Sequence, residues 1–309
     1  MPKIFIDTQI FLNLYQTKVN LTKIFEDINK IRENLIIPEQ VKDEFIRNRD
    51  SKIRELKKQI SDTKIEESLN SFGIFRKQPD FKECEESVKK LQQIRKQMIK
   101  YCDDIIANTE KDEVFRFFKK LYDDPKVQKI ERSEDIVKKS HTRKLIGNPP
   151  ISAGKSSVGD EINWESILDG VDDDLIIISG DGTYENNKTF LYQEYQQKTG
   201  KKILGIFNEI SRAFPLINVK PSTELKKFEE EQRENELKKY IAEIYSDFQN
   251  EKPRWLHSIL LFDNLIKNDR IRMKQIKHIP KFSNSEITEF IKTYMEEKEK
   301  KGETDRKEK

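Results

Sequence analysis

Four acidic residues stand where a parallel sheet would gather them. Asp7 follows directly on the apolar start of KIFIDTQIFLNLY, and Asp181 ends LIIISGD after a bend at Ser179-Gly180. Asp160 opens a helix behind a glycine in KSSVGDEINWESIL, and Glu44 lies one to two turns into the helix that Pro38 opens in LIIPEQVKDEFIRNRD. In open parallel sheets ligands bind at the carboxyl ends of the strands, so Asp7 and Asp181 are expected to face a crevice. Each acid also has a plainer reading. Asp7 or Asp160 could cap a helix, Asp181 could sit in a Gly-Asp-Gly turn, and Glu44 could be a solvated helix residue bordering the stripe of Val41 and Phe45. The combination says more than any member. Four carboxylates at close range repel and raise one another's proton affinity unless a cation neutralises them, and a set of oxygen ligands alone suits Mg2+ or Mn2+ rather than zinc.

The elements that must position these groups are short apolar runs separated by helical patterns. Ile4 to Ile6, Leu35 to Ile37, Leu175 to Ile178 and Ile203 to Ile206 read as buried parallel strands. Their alternation with helices predicts a doubly wound α/β sheet. Between Arg49 and Thr142 the pattern changes to long charged helices. There Val88, Leu91, Ile94, Met98, Cys102 and Ile105 recur three or four apart. Residues 50–142 are therefore expected to form a helical insertion, docked on the body by Phe115, Phe117, Phe118, Leu121 and Tyr122, with Gly147-Asn148-Pro149-Pro150 as the return loop. A body of residues 1–220 would then be followed by a helical extension, 221–295. The tail, 296–309, is almost wholly charged and is expected to stay disordered.

Composition narrows the class without naming a partner. Charged residues make up 37% of the chain, against roughly a quarter in an average protein, which points to long solvated helices. The 59 Lys and Arg nearly cancel the 56 Asp and Glu, so any basic surface must come from local clustering. Cys84 and Cys102 have no metal or redox spacing, which suits a reducing cytosol and excludes a disulfide framework. No leader-like segment is read at Met1, and nowhere do about 18 apolar residues follow one another. A cytoplasmic protein with no membrane partner is the expectation. The stretch from Gly147 to Gly154-Lys155-Ser156 is no phosphate loop, because its glycines are too far apart and no strand precedes it.

The motifs IFIDTQIFLNLY, PEQVKDEFIRNR and GDEINWESIL resemble those of the PIN-like domain family, over roughly residues 3 to 210. The second is the most specific. The resemblance implies a three-layer α/β/α, Rossmann-like parallel sheet and a metal-dependent nuclease, usually acting on RNA. It places Asp7, Glu44, Asp160 and Asp181 at the catalytic, metal-binding positions, with Thr8 and Ser179 supplying hydroxyls nearby. Phosphodiester hydrolysis would then use a metal-activated water and no covalent nucleophile. Ser179-Gly180-Asp181 departs from the Ser/Thr-Asn-Asp pattern of many relatives, and the following GTYENN lacks basic and aromatic residues. Arg47, Asn48, Arg49 and Lys155 are the candidate nucleic-acid contacts, and Lys52, Lys57 and Lys58 are expected to extend that surface along the insertion. A toxin-like or antiviral role would follow from the family. Two other readings stay open: a DNA-directed nuclease, and a weakly catalytic scaffold that binds RNA, a protein partner or a second copy through the insertion or the extension. None of His141, His257 and His278 lies in the motifs, so they are expected to be ordinary surface or core residues.

Overall fold

The computed structural model describes residues 1–62, 79–150, 157–180 and 182–249, with 239–249 as backbone alone. Within them the apolar runs form a five-stranded, wholly parallel sheet: β1 (Lys3–Ile6), β2 (Leu35–Pro38), β3 (Gln128–Ile130), β4 (Leu175–Ile178) and β5 (Ile203–Phe207). The order is β3-β2-β1-β4-β5. Helices flank the sheet in a three-layer α/β/α arrangement. In chain order they are α1 (Thr8–Asn13), α2 (Leu21–Lys30), α3 (Glu39–Asp62), α4 (Pro79–Ala107), α5 (Glu113–Asp123), α6 (Glu134–Leu145), α7 (Gly159–Gly170), α8 (Lys188–Thr199) and α9 (Thr223–Gln249). The four expected strands are present. All residues of β2 and β4 are buried, as continuous apolar runs in a sheet covered on both faces must be.

β3 is a strand that the sequence pattern did not announce. It lies inside the stretch expected to be purely helical, and it pairs with β2 from Ile36↔Gln128 to Pro38↔Ile130. Its three residues, Gln-Lys-Ile, sit on the sheet edge, where only Ile130 is buried. A short edge strand with a polar sequence carries neither an apolar run nor a clear alternation. The excursion from the α/β body is accordingly the distal part of α3 with α4, and the chain has rejoined the sheet by β3.

Aromatic packing seats the helices that carry the site. Phe45 of α3 stacks on Phe118 of α5 with ring centroids 4.1 Å apart, and Phe11 of α1 meets the same Phe118 edge-on at 5.0 Å. Phe25 of α2 stacks on Phe117 at 4.0 Å. The expected docking cluster on α5 is thus in the main core, with Phe117, Phe118 and Leu121 buried and Phe115 and Tyr122 packed against it. Along α3 the buried face runs Val41, Phe45, Arg49, Lys52 and Ile53. It turns from apolar to charged where α4 takes over as neighbour. On α4 only part of the predicted stripe is covered: Cys102 and Ile105 join Ile53 in a small cluster, while Leu91, Ile94 and Met98 are exposed among the described residues.

The joint between body and excursion is centred on a buried ion pair. Asp112, which caps α5 through Phe115 N–H at 3.0 Å, also accepts Arg49 Nε at 2.7 Å and the Tyr15 hydroxyl at 2.6 Å. Arg49 donates further to Asp50 and to the Ile105 carbonyl. Burial by itself would favour neutral Arg49, yet its bonds to Asp112 outweigh that and hold its pKa above the usual arginine value. Removing one partner of such a pair leaves a buried charge alone, which costs about 3–5 kcal/mol. Asp112→Ala is expected to lower unfolding free energy by that order in a urea titration. Lys57→Ala, which removes only the exposed pair with Asp103, should cost under about 1 kcal/mol.

The chain divides into two units, Met1–Glu229 and Glu230–Lys309, of which the second is described only to Gln249. The boundary falls inside α9, which begins at Thr223. The expected apolar positions from Trp255 onward, the remaining histidines and the charged tail lie outside the described residues. Leu225 and Phe228 bury into the core of the first unit, and buried Glu229 accepts Ser211 N–H at 2.8 Å and Ser211 Oγ at 2.5 Å. Burial pushes the Glu229 carboxyl up, and the Ser211 bonds only partly oppose it. A raised carboxyl pKa contributes stability that is complete below the unfolded value, about 4.3, and is lost as pH rises through the folded value. Stability of the wild type relative to Glu229→Gln should therefore decline as pH is raised from about 4 towards neutrality, as read by paired melting curves.

Candidate active site

The sheet changes direction between β1 and β4. From β1 the chain moves outward to β2, and later it returns to β1's other side, which leaves a crevice at the carboxyl ends of these two strands. The pairing Lys3↔Leu175 to Ile6↔Ile178 sets the next residues, Asp7 and Ser179, at one level. Asp7 N–H donates to the Ile178 carbonyl at 2.9 Å, and Ser179 Oγ donates to Asp7 Oδ2 at 2.8 Å. Asp7 stands at the capping position of α1 but makes no side-chain cap bond. Its carboxylate is turned to the crevice side instead.

Thr8, the first residue of α1, is buried and donates its hydroxyl to Glu44 Oε2 at 3.0 Å. That bond ties the end of β1 to the second turn of α3. Glu44 Oε1 accepts Gln40 Nε2 at 2.7 Å. Asp160 is the second residue of α7, whose capping position is Val158, so the capping reading does not hold for it either. α7 is in turn fixed by a buried cluster: Arg143 of α6 donates to Glu165 of α7 at 2.7 Å and to both oxygens of Glu194 of α8, and Trp164 Nε1 donates to Glu194 at 2.8 Å.

Asp7, Thr8, Glu44, Arg47, Asn48 and Asp160 line a single cavity of about 790 Å3. Six of the sequence-predicted residues are thereby brought together. Ser179 lies behind Asp7 and holds it. Asp181 and Lys155 lie outside the described residues. Arg49 is a correction: two residues beyond Arg47 on a helix it faces the opposite way, and it is buried against Asp112. Lys52 is corrected likewise, being buried on the inner face of α3, while the partly exposed Lys57 pairs with Asp103. The cavity also contains groups the sequence reading passed over, namely Gln40, Arg132 and His141. Gln40 was readable, since it stands one helical turn before Glu44 on the same face. Arg132 was not, because its placement depends on the edge strand β3. His141 had no signal beyond its nearness to the return loop.

Chemically the wall is a set of hard oxygen donors edged by two arginines. The carboxylates of Asp7, Glu44 and Asp160 with the Thr8 hydroxyl fit Mg2+ or Mn2+ in kind. Among the described residues no three His, Cys, Asp or Glu side chains stand close enough to grip an ion by themselves. Fold and cavity together define an α/β protein with an acidic site at its topological switch point. The PIN domain family model matches residues 4–184, and the chain belongs to the PIN domain family. Its members are generally nucleases that depend on divalent metal. No curated protein and no solved structure matches the chain. No helix among the described residues is long and apolar enough to cross a membrane.

Because Ser179 supports Asp7 without lining the cavity, its removal should weaken metal binding while sparing the fold. Ser179→Ala is expected to reduce Mn2+ affinity about tenfold, in the range of supporting hydrogen bonds to ligating carboxylates. Titration calorimetry on folded protein would measure the loss.

Proposed function

We propose that this chain is a metal-dependent endoribonuclease, with Asp7, Glu44, Asp160 and Asp181 as the cation-binding acids. The observation that carries the reading is the convergence of Asp7, Glu44 and Asp160 on one cavity, with Arg47 and Arg132 on its wall. Bound there, Mg2+ or Mn2+ would supply an acidified water and neutralise charge on a scissile phosphate. The protein's own contribution is separable from that chemistry. Ser179 and Thr8 each hold one of the acids in place by a hydrogen bond, Arg47 is exposed for a phosphate contact, and Asn48 beside it offers an uncharged donor. His141 lines the same cavity from α6. Lys155 would add a cation from the return loop.

RNA as substrate rests on the resemblance of the three motifs to a family that usually acts on RNA. A toxin-like or antiviral role in the cytoplasm is part of the same reading. Protein partners or self-association through the excursion or the extension would be additional to cleavage.

Purified protein with Mn2+ should cut single-stranded RNA, leave single-stranded DNA intact, and stop on addition of EDTA. Asp7→Asn should lower turnover at least about a hundredfold, as loss of charge stabilisation at a reacting centre does, with an unchanged melting temperature in metal-free buffer. Mn2+ should raise the melting temperature of the wild type but not of an Asp7→Asn, Asp160→Asn double variant, because a ligand of the folded state alone stabilises by RT ln(1 + [L]/Kd). Cleavage of DNA in place of RNA would reassign the substrate. EDTA-resistant cleavage would overturn the metal assignment.

A further inference from the structure

Glu44 is held at both oxygens of its carboxylate. Thr8 Oγ1 donates to Oε2 at 3.0 Å and Gln40 Nε2 to Oε1 at 2.7 Å. The third constraint is steric. Gly159 does not have a positive φ, so its backbone does not call for glycine, but a Cβ built on it would overlap Glu44 Oε1 and lie 3.3 Å from Gln40 Nε2. Glycine is needed there for space, where α7 comes down on the carboxylate.

Gln40 is itself directed. It is buried, and its Oε1 accepts Arg132 Nη1 at 2.7 Å. A guanidinium has only donors, so the amide oxygen must face Arg132 and the amide N–H groups must face Glu44. A flipped amide would set donors against the guanidinium and an oxygen against the carboxylate. Arg132 is fixed in turn by Asp43 Oδ2 at 2.9 Å, and its backbone N–H donates to Glu39 Oε2 at 3.1 Å. The edge strand explains how it gets there. β3 pairs with β2 up to Pro38↔Ile130, β2 runs straight into α3, and the residue two places after β3 therefore lands over the first turn of α3.

We propose that Arg132 and Gln40 are positioning residues that aim the Glu44 carboxylate for a divalent cation, with Gly159 providing the room for that orientation. The inference rests on the cation reading of the cavity given above. It assigns a purpose to a strand of three residues at the sheet edge, and to a glycine that the backbone does not require. Arg132 acts through Gln40 and not by touching substrate.

The test is Mn2+ titration calorimetry on the full chain, with no substrate present, together with metal-free melting curves. Gln40→Ala and Arg132→Ala should each weaken Mn2+ binding about tenfold. The double variant should be no worse than either single one, since two members of one relay are not additive. Gly159→Ala should weaken binding at least as much, yet melt no lower than the wild type without metal, because what yields is the end of the Glu44 side chain. Arg132→Lys keeps the charge but loses the planar fork, and should restore little of the affinity. In steady state these variants should need more Mn2+ for half-maximal rate while the KM for RNA stays put. If wild type binds Mn2+, Asp7→Asn weakens it, and the Gln40, Arg132 and Gly159 variants bind like wild type, the relay is wrong and the cation site stands. A raised KM with unchanged Mn2+ affinity in Arg132→Ala would make Arg132 a phosphate contact and overturn the relay. Additive losses in the double variant would do so too. If wild type binds no Mn2+, both the site and the relay fail.

Discussion

The pairing of β1 with β4 is the contact on which the rest of the site depends. It joins the two halves of the sheet at the one place where the strand order reverses, and its register puts Asp7 and Ser179 side by side at the crevice. A slip of one residue would turn Asp7 to the other face of the sheet. The hydrogen bond from Ser179 to Asp7 spans a sequence separation of 172 residues, so the acid is held by chain from both ends of the domain. α1 begins at once with Thr8, which is why the next residue can reach Glu44. Two neighbouring residues thus fix two acids.

Acids gathered at one edge need rigid neighbours, because mutual repulsion would otherwise spread them. Here the helices that bear them are pinned by buried charge. α3 is held through Arg49 to Asp112 and Tyr15, and α7 through Glu165 and Trp164 to Arg143 and Glu194. Such pairs add little net stability, since each charge gives up its water to form them. Their value is directional: Arg143 grips both oxygens of Glu194, a geometry that permits few orientations, and Arg49 spends its donors on Asp112, Asp50 and the Ile105 carbonyl. Both arginines are kept charged against burial by these partners. The stacked rings of Phe45 and Phe118 supply the non-directional part of the same joint.

Much of the architecture was legible in the chain. Buried parallel strands announce themselves as unbroken apolar runs, so four of the five were found within a residue of their ends. Asp7, Glu44 and Asp160 could be picked out because each lies next to a strand end or on the motif helices. The arginines show the opposite case. Arg47 and Arg49 are identical in type and two apart in sequence, yet a helix turns them about 200° from each other. One faces the cavity and the other the excursion. Which is which depends on where α4 and Asp112 lie, and Asp112 is 63 residues away.

By itself, then, the sequence determined the strand runs, the helix that bears Glu44 and the acidic character of the site, because these are properties of local spacing and side-chain chemistry. Only the tertiary structure decided that Gln-Lys-Ile is a strand, that Arg132 reaches Gln40, and that Gly159 is a space beside a carboxylate. A three-residue edge strand exists only because β2 offers it a partner. A contact between α7 and α3 depends on how two layers of helices close over one sheet. Neither leaves a period in the sequence to be read.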